Sequence, residues 1–340
     1  MEPFTPGMIR EGVARSGTEA RFPGAGDPAK EPGIAAAGDP AASGGTAGTV
    51  DTAAGLRPAG PAETAGGDGR PVLARLHPWR RFAELEAGFS TRLGGVSRAP
   101  WHSLNTALHV GDADGDVIRN RRRIAAGLGW PFEAWTSASQ VHGNRVYRVT
   151  AEDRGKGRAR PEDAVAEADA LITDVPGILL VMYYADCVPL YFYDPDHSAI
   201  GLAHAGWRGT ALDVAGETVR AMEAAFGTRP DRLYAAIGPS IGPCCYEVDE
   251  PVLCRLLPLA ETLQRFVGSG AEALTAPARP GRAAANLKEF NRRLMMKAGI
   301  LPSRIEISRW CTGCRTDLFF SHRREGGKTG RMAAWLGRRS

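Results

Sequence analysis

The chain has 340 residues, enough for one large domain or two ordinary ones. Its 42 basic and 38 acidic side chains leave a net charge of only +4, and aromatics do not interleave with basic runs, which argues against a nucleic-acid binder. The longest apolar run, Gly177 to Ala185, is far short of the ~20 residues that cross a bilayer. Met1-Glu2-Pro3 opens without a basic or hydrophobic region, so no signal peptide is expected. Six cysteines in so long a chain do not read as a disulfide scaffold. Together these features predict a soluble cytoplasmic protein whose cysteines serve a metal or catalysis.

Residues 1–70 consist largely of Gly, Ala, Pro, Thr and Asp. Such a segment buries too little surface to offset its ordering entropy, so it reads as a disordered extension. The remainder, 71–340, shows no repeat and no second linker, and reads as one domain. A chain trimmed to begin at Pro71 is therefore expected to fold and to keep its full activity. Limited proteolysis followed by assay of the surviving core tests this. A core that unfolds or is inactive would show that the extension packs onto the domain.

Along the domain, a helix is expected from Asp116 to Leu128, with Asp116 as its N-cap. The glycine-flanked loop Ser139-Gln140-Val141-His142-Gly143 precedes a strand from Arg145 to Val149, and Arg154-Gly155-Lys156-Gly157-Arg158 looks like a surface loop. Gly177 to Tyr184 reads as a buried strand, Val188 to Tyr193 as a second and Ser198 to His204 as a third. Asp194-Pro195-Asp196-His197 is turn chemistry, and Pro189 near a strand start is tolerable at an edge or beside a bulge. If Asp194 and His197 flank a tight turn without a bulge, Cys187 lies directly opposite His204. Opposed residues share a face with Cβ atoms roughly 4.5–5.5 Å apart. A thiolate and an imidazole at that spacing can reach one metal ion. Two helical stripes follow: Ala211, Val214, Ala215, Thr218, Val219, Met222 and Phe226 before Gly227, then Leu287, Phe290, Leu294, Met295 and Ala298 before Gly299.

Cys187 and His204 are thus the central pair. Each alone is more often structural, as a buried thiol or a hydrogen-bonded imidazole; their opposition is what points to chemistry. A catalytic metal with an open position needs a third ligand, and His142 is the best placed. His77, His102, His109 and His197 read as surface or turn residues. Asp112, Asp114 and Asp116 resemble the start of a calcium loop, but Gly115 is misplaced and no glutamate closes it. A helix N-terminus suits them better. Cys311-Thr312-Gly313-Cys314 resembles half of a zinc ribbon, yet it has no CxxC partner and only Cys244 and Cys245 as neighbours, so no structural zinc is expected. Met295 and Met296 read as core packing rather than a copper site. Phe319-Phe320-Ser321-His322-Arg323-Arg324 ends in two guanidiniums, with Gly330-Arg331 shortly after. On a surface these form a solvated edge; in a pocket they make a bidentate site for phosphate or carboxylate.

Nine motifs in order resemble the YfiH-type family, also called the multicopper polyphenol oxidase or laccase-domain family and now known as purine nucleoside phosphorylases. They are Ser90-Thr91-Arg92-Leu93-Gly94-Gly95-Val96-Ser97, Ser103-Leu104-Asn105, Gln140-Val141-His142-Gly143, Ala168-Asp169-Ala170 and Ala185-Asp186-Cys187-Val188-Pro189. His204-Ala205-Gly206-Trp207-Arg208-Gly209, Gly238-Pro239-Ser240-Ile241-Gly242-Pro243, Phe320-Ser321-His322-Arg323-Arg324 and Thr329-Gly330-Arg331-Met332-Ala333 complete the set. The resemblance implies a single α+β domain, a four-layer α/β/β/α sandwich with mixed sheets. It implies Zn²⁺ on His142, Cys187 and His204, with copper the lesser expectation. It also implies phosphorolysis of adenosine, inosine, guanosine and methylthioadenosine, with adenosine deamination, by a monomer or small homo-oligomer. Arg92, Asn105 and Arg323 are the candidates for substrate and phosphate, and Asp186 for acid/base work if the strand ends before it. Two other enzyme readings share the resemblance: a copper polyphenol oxidase, which only seven scattered histidines disfavour, and a peptidoglycan-precursor editing hydrolase using the same zinc or a Cys187–His204 dyad. A non-enzymatic module with structural zinc is disfavoured by the open ligand position.

Overall fold

The computed structural model describes residues 71–267, 273–275 and 281–339. The expected extension, residues 1–70, lies outside them.

In chain order the strands are β1 (Leu73–Ala74), β2 (Leu85–Ser90), β3 (Trp135–Ser137), β4 (Val146–Arg148), β5 (Ala170–Thr173), β6 (Leu179–Tyr184) and β7 (Val188–Asp194). They continue as β8 (Ala199–Ala205), β9 (Tyr234–Ile237), β10 (Glu247–Val248), β11 (Leu274–Thr275), β12 (Ala283–Ala285), β13 (Ile305–Ile307) and β14 (Met332–Arg338). The helices are α1 (Asp114–Gly127), α2 (Trp207–Ala211), α3 (Val214–Phe226), α4 (Glu250–Val267) and α5 (Leu287–Lys297). One sheet runs β1-β2-β14-β6-β3 and the other β13-β9-β7-β8-β5-β4, with a small β10-β12-β11 sheet beside them.

Strand alternation sorts the core into three layers of contact. Ala87, Phe89, Leu180, Met182, Tyr184, Ala334 and Leu336 of the first sheet meet Leu171, Tyr191, Tyr193, Ile200 and Leu202 of the second. The opposite face of the second sheet, through Ile172, Leu190, Phe192 and Ala203, packs on Val219 and Met222 of α3 and Phe290 and Leu294 of α5. The opposite face of the first, through Leu179, Val181 and Trp335, packs on Ile124, Ala125 and Leu128 around α1. This is the expected four-layer α/β/β/α arrangement in one α+β domain. No described helix is long and apolar enough to cross a membrane.

The register of the β7–β8 hairpin corrects the expectation. The loop is Pro195 to Ser198, so Asp194 pairs with Ala199 and it is Pro189, not Cys187, that faces His204. The wider loop forms because Asp194 accepts the backbone N–H groups of Asp196 and His197, and Ser198 turns through φ 53°. The displacement is two residues, one full side-chain period, so Cys187 stays on the His204 face. Pro189 also sits in an interior strand, between β8 and β9, rather than at an edge. It is tolerated because the β7–β9 pairing begins only at Leu190.

The first helical stripe is broken after Ala211, where Asp213 adopts a left-handed conformation and accepts the Gly216 N–H as N-cap of α3. Helix α1 starts at Asp114 with Ala113, not Asp116, at its N-cap; Asp116 lies two residues in, in the first turn, paired with Arg119. Residues 154–158 are not a free surface loop: Arg121, fully buried, donates to the Gly157 and Arg158 carbonyls at 2.6 and 2.9 Å. Met295 is buried in the core, as its spacing implied.

Candidate metal centre and active site

The ladder directions bring every motif named above to one end of the sandwich. β6 is parallel to β3 and antiparallel to β14, so their ends at Tyr184, Ser137 and Met332 coincide. β8 is antiparallel to β5 and β7, which sets His204 beside the starts of those strands. The loop from β3 to β4 and the turn from β6 to β7 both cross there from the first sheet to the second. The first loop carries His142 and the second Cys187.

The ligand atoms of His142, Cys187 and His204 all lie within 4.8 Å of one another. His142 is exposed, Cys187 half-buried and His204 buried, so the cluster opens to solvent on the His142 side. The rings of His142 and His204 stand edge to face, 4.9 Å between centroids. Two imidazoles and one thiolate are a tetrahedral N/S donor set with one position left for a substrate atom. Gly206 keeps the space clear: a Cβ there would sit 3.1 Å from Cys187 Sγ and 3.2 Å from His142 Cδ2.

Asp169, which residue-by-residue reading of the sequence left without a role, organises the cluster. Its buried carboxylate accepts the N–H groups of Val141, His142 and Gly143 at 3.0, 3.1 and 2.8 Å, which holds His142 in a left-handed backbone with φ 61°. The same carboxylate lies 2.8 Å from His204 Nδ1, so Nδ1 carries the proton and Nε2 is left for a metal. The signal was present in Ala168-Asp169-Ala170, an acid in an otherwise apolar strand start. Asp169→Asn is expected to weaken metal affinity 10–100-fold. It should also destabilise the fold by about 2–3 kcal/mol, because an amide cannot accept all four donors. Chelator competition and thermal denaturation read the two effects, and unchanged affinity would remove Asp169 from this role.

Burial pushes the Cys187 thiol up, but the His204 and His142 imidazoles outweigh it and bring it down to about 6. Burial pulls His204 down; the Cys187 sulfur and Asp169 outweigh that and raise it to about 9. Both shifts describe a thiolate–imidazolium pair, which exchanges its proton for a metal ion. Asp169 itself is lowered, because His204 and the N–H groups of Gly143 and Val141 overcome its burial.

The other expected site residues are at the same end but already engaged. At Asp186 the strand has ended, with φ 82°. Its Oδ1 accepts from Thr312 Oγ1 at 2.6 Å, and its Oδ2 accepts from Ser321 Oγ at 3.0 Å and Arg323 N at 2.8 Å. Arg92 stacks on Phe320 and donates to Glu325, to the Thr316 carbonyl and to the His102 carbonyl. Asn105 is buried, and its Oδ1 accepts the N–H of Arg331 at 2.9 Å while Nδ2 donates to Asp112 at 2.9 Å. Arg323 is exposed, lies over Tyr246 and donates to the Glu247 carbonyl.

Arg331, in the Thr329-Gly330-Arg331-Met332-Ala333 motif, is a further guanidinium at this end. Burial pushes it down from its ordinary value, and the charges of Cys187 and Asp186 pull it back. It is anchored through Nη1 to the Thr329 and Gly330 carbonyls at 2.8 and 3.0 Å, one residue before Met332, which pairs with Tyr184 at the end of β6. His109, expected as a surface or turn residue, is exposed on a short turn.

The family model described as multi-copper polyphenol oxidoreductase laccase matches residues 86–339. The purine nucleoside phosphorylase YlmD of Geobacillus stearothermophilus is 46% identical over 258 residues, which are 76% of this chain and 92% of that protein. Its namesake in Bacillus subtilis is 43% identical over 256 residues, 75% of this chain and 88% of that one. The crystal structure of YlmD from Geobacillus stearothermophilus superposes with a TM-score of 0.74 at 44% identity, over 79% of this chain and 96% of that one. A Bacillus licheniformis protein described as hypothetical protein YfiH gives 0.72 at 41% identity, over 79% and 97%. The chain therefore belongs to the laccase-domain family that includes the YfiH and YlmD proteins.

Proposed function

We propose that the protein is a zinc-dependent purine nucleoside phosphorylase acting on adenosine, inosine, guanosine and methylthioadenosine, with adenosine deamination as a second activity. The observation that carries this reading is a three-ligand metal centre with Arg331 at the same end of the sandwich, one residue before Met332, which pairs with Tyr184 three residues before Cys187. The names of the relatives from Geobacillus stearothermophilus and Bacillus subtilis support it. Zinc suits a thiolate and two imidazoles, and when bound it supplies Lewis acidity at neutral pH.

The chain's own residues divide the remaining work. Phosphorolysis needs an anion beside the ribose C1′ while the C1′–N9 bond breaks and the purine leaves. Arg331 provides the charge for that anion, and Arg323 provides a second, more exposed one at the rim. Asn105 positions Arg331 through its backbone N–H. Asp186 acts as a positioning residue, tying the Cys187 turn to Thr312, Ser321 and Arg323. Deamination requires the metal centre without the anion site, so the two activities are separable. Purified protein with its metal content measured is to be assayed with purine nucleosides, with and without inorganic phosphate. Phosphate-dependent release of free base is the expected result. Neither base release nor inosine formation at full metal loading would move the assignment to the precursor-editing hydrolase.

A further inference from the structure

We propose that Cys244, Cys245, Cys311 and Cys314 form a second, structural site that takes one zinc ion in a tetrathiolate shell. The sequence separates an adjacent cysteine pair from a CxxC pair by more than sixty residues, and spacing alone predicted no such site. The topology closes that distance. β9 and β13 are parallel neighbours, and each is followed by one of the two cysteine-bearing loops. Their pairing continues past the strand ends: Ser308 N donates to Ile237 O at 2.9 Å, Thr312 N donates to Ser240 O at 3.2 Å, and Ser240 bridges Cys311.

The four sulfur atoms all lie within 4.8 Å of one another. Cys314 Sγ is 3.5 Å from Cys244 Sγ and 3.4 Å from Cys245 Sγ. Zinc–sulfur bonds of ~2.3 Å in a tetrahedron put sulfurs about 3.8 Å apart, so the cage already has the size of the ion's shell. Two donors favour thiolate over thiol: the Gly242 N–H reaches Cys311 Sγ at 3.1 Å, and Arg324 Nη2 reaches Cys245 Sγ at 3.4 Å. Glycines hold the space beside the sulfurs. A Cβ on Gly313 would meet Cys245 Cβ at 2.8 Å, and one on Gly242 would meet Cys244 Sγ at 3.3 Å. Cys244 and Cys314 are exposed, which gives an ion access. An all-sulfur set selects zinc over the hard cations, and four protein ligands leave no open position, so the site is structural rather than catalytic.

Its place in the fold says what it does. The two loops it joins both hold Asp186, through Ile241 N to the Asp186 carbonyl at 2.9 Å and Thr312 Oγ1 to the carboxylate at 2.6 Å. Asp186 adjoins Cys187. The tetrathiolate therefore braces the two loops that hold the Cys187 turn.

The test uses full-length Cys187→Ala protein, purified without chelator, so that the first centre is disabled while the second is untouched. About one zinc per chain is expected, with four sulfur ligands at ~2.3 Å by zinc-edge X-ray absorption. Of its five remaining cysteines, only Cys254 should alkylate before a chelator is added. Adding Cys314→Ser should abolish that zinc. Absence of zinc with all five thiols alkylating, a disulfide among the four, or iron in place of zinc would each overturn the proposal. Because these readouts come from the folded protein before substitution at Cys314, they stand even if the doubly substituted chain fails to fold.

Discussion

Cys187→Ala is expected to lose the metal of the His142–Cys187–His204 centre and to lower turnover of every nucleoside by about three orders of magnitude. Lewis-acid assistance is worth several kcal/mol, and each ~1.4 kcal/mol is a factor of ten in rate. The substitution removes a half-buried thiol on a turn held by its neighbour Asp186, so the fold should survive. Metal analysis against wild type, together with the unfolding midpoint, separates loss of the ion from loss of structure. Retention of nitrogen-ligated zinc would sink the assignment. A nucleophilic Cys187 predicts a different pattern: chelation would leave activity intact and thiol alkylation would abolish it.

Arg331→Gln should depress phosphorolysis about a hundredfold, the usual loss when one preorganised donor to a reacting anion is removed. Deamination should fall much less, since it calls on no phosphate. Arg323→Ala should show the same selectivity in weaker form, together with a higher phosphate requirement, because its side chain is exposed and partly committed to the Glu247 carbonyl. Measuring both activities on both variants across a phosphate series discriminates the two arginines. Equal losses of phosphorolysis and deamination in Arg331→Gln would remove it from the anion role.

Most of the centre was legible because its residues are locally conspicuous. Cys187 and His204 flank a hairpin whose turn is visible as Asp194-Pro195-Asp196-His197, and His142 stands between a polar loop and a glycine. Even the wrong register kept the pair on one face, since the error was a whole side-chain period. What escaped was carried by long-range geometry. Asp169 acts through three backbone N–H groups of a loop more than twenty residues away, which no spacing rule encodes. The four cysteines meet only because β13 pairs with β9, and such parallel contacts leave no local pattern in the chain. Arg331 is open in the sequence to both a solvated edge and a pocket until Asn105 and the start of β14 are seen to anchor it. Helix α4 was missed altogether, with Pro258 in its interior interrupting the expected period.

Both segments that carry His142 and Cys187 cross from one sheet to the other, while His204 belongs to the second sheet alone. An ion held by all three is therefore a rivet through the sandwich, and its binding free energy is counted in the docking of one sheet on the other. At a free concentration a thousandfold above its dissociation constant, that linkage amounts to about 4 kcal/mol. Against a total stability of roughly 5–15 kcal/mol, this is a large share. Metal supply in the cell would then govern the lifetime of the protein as well as its turnover. Starvation for the ion would leave a chain that still folds but opens to proteases more often.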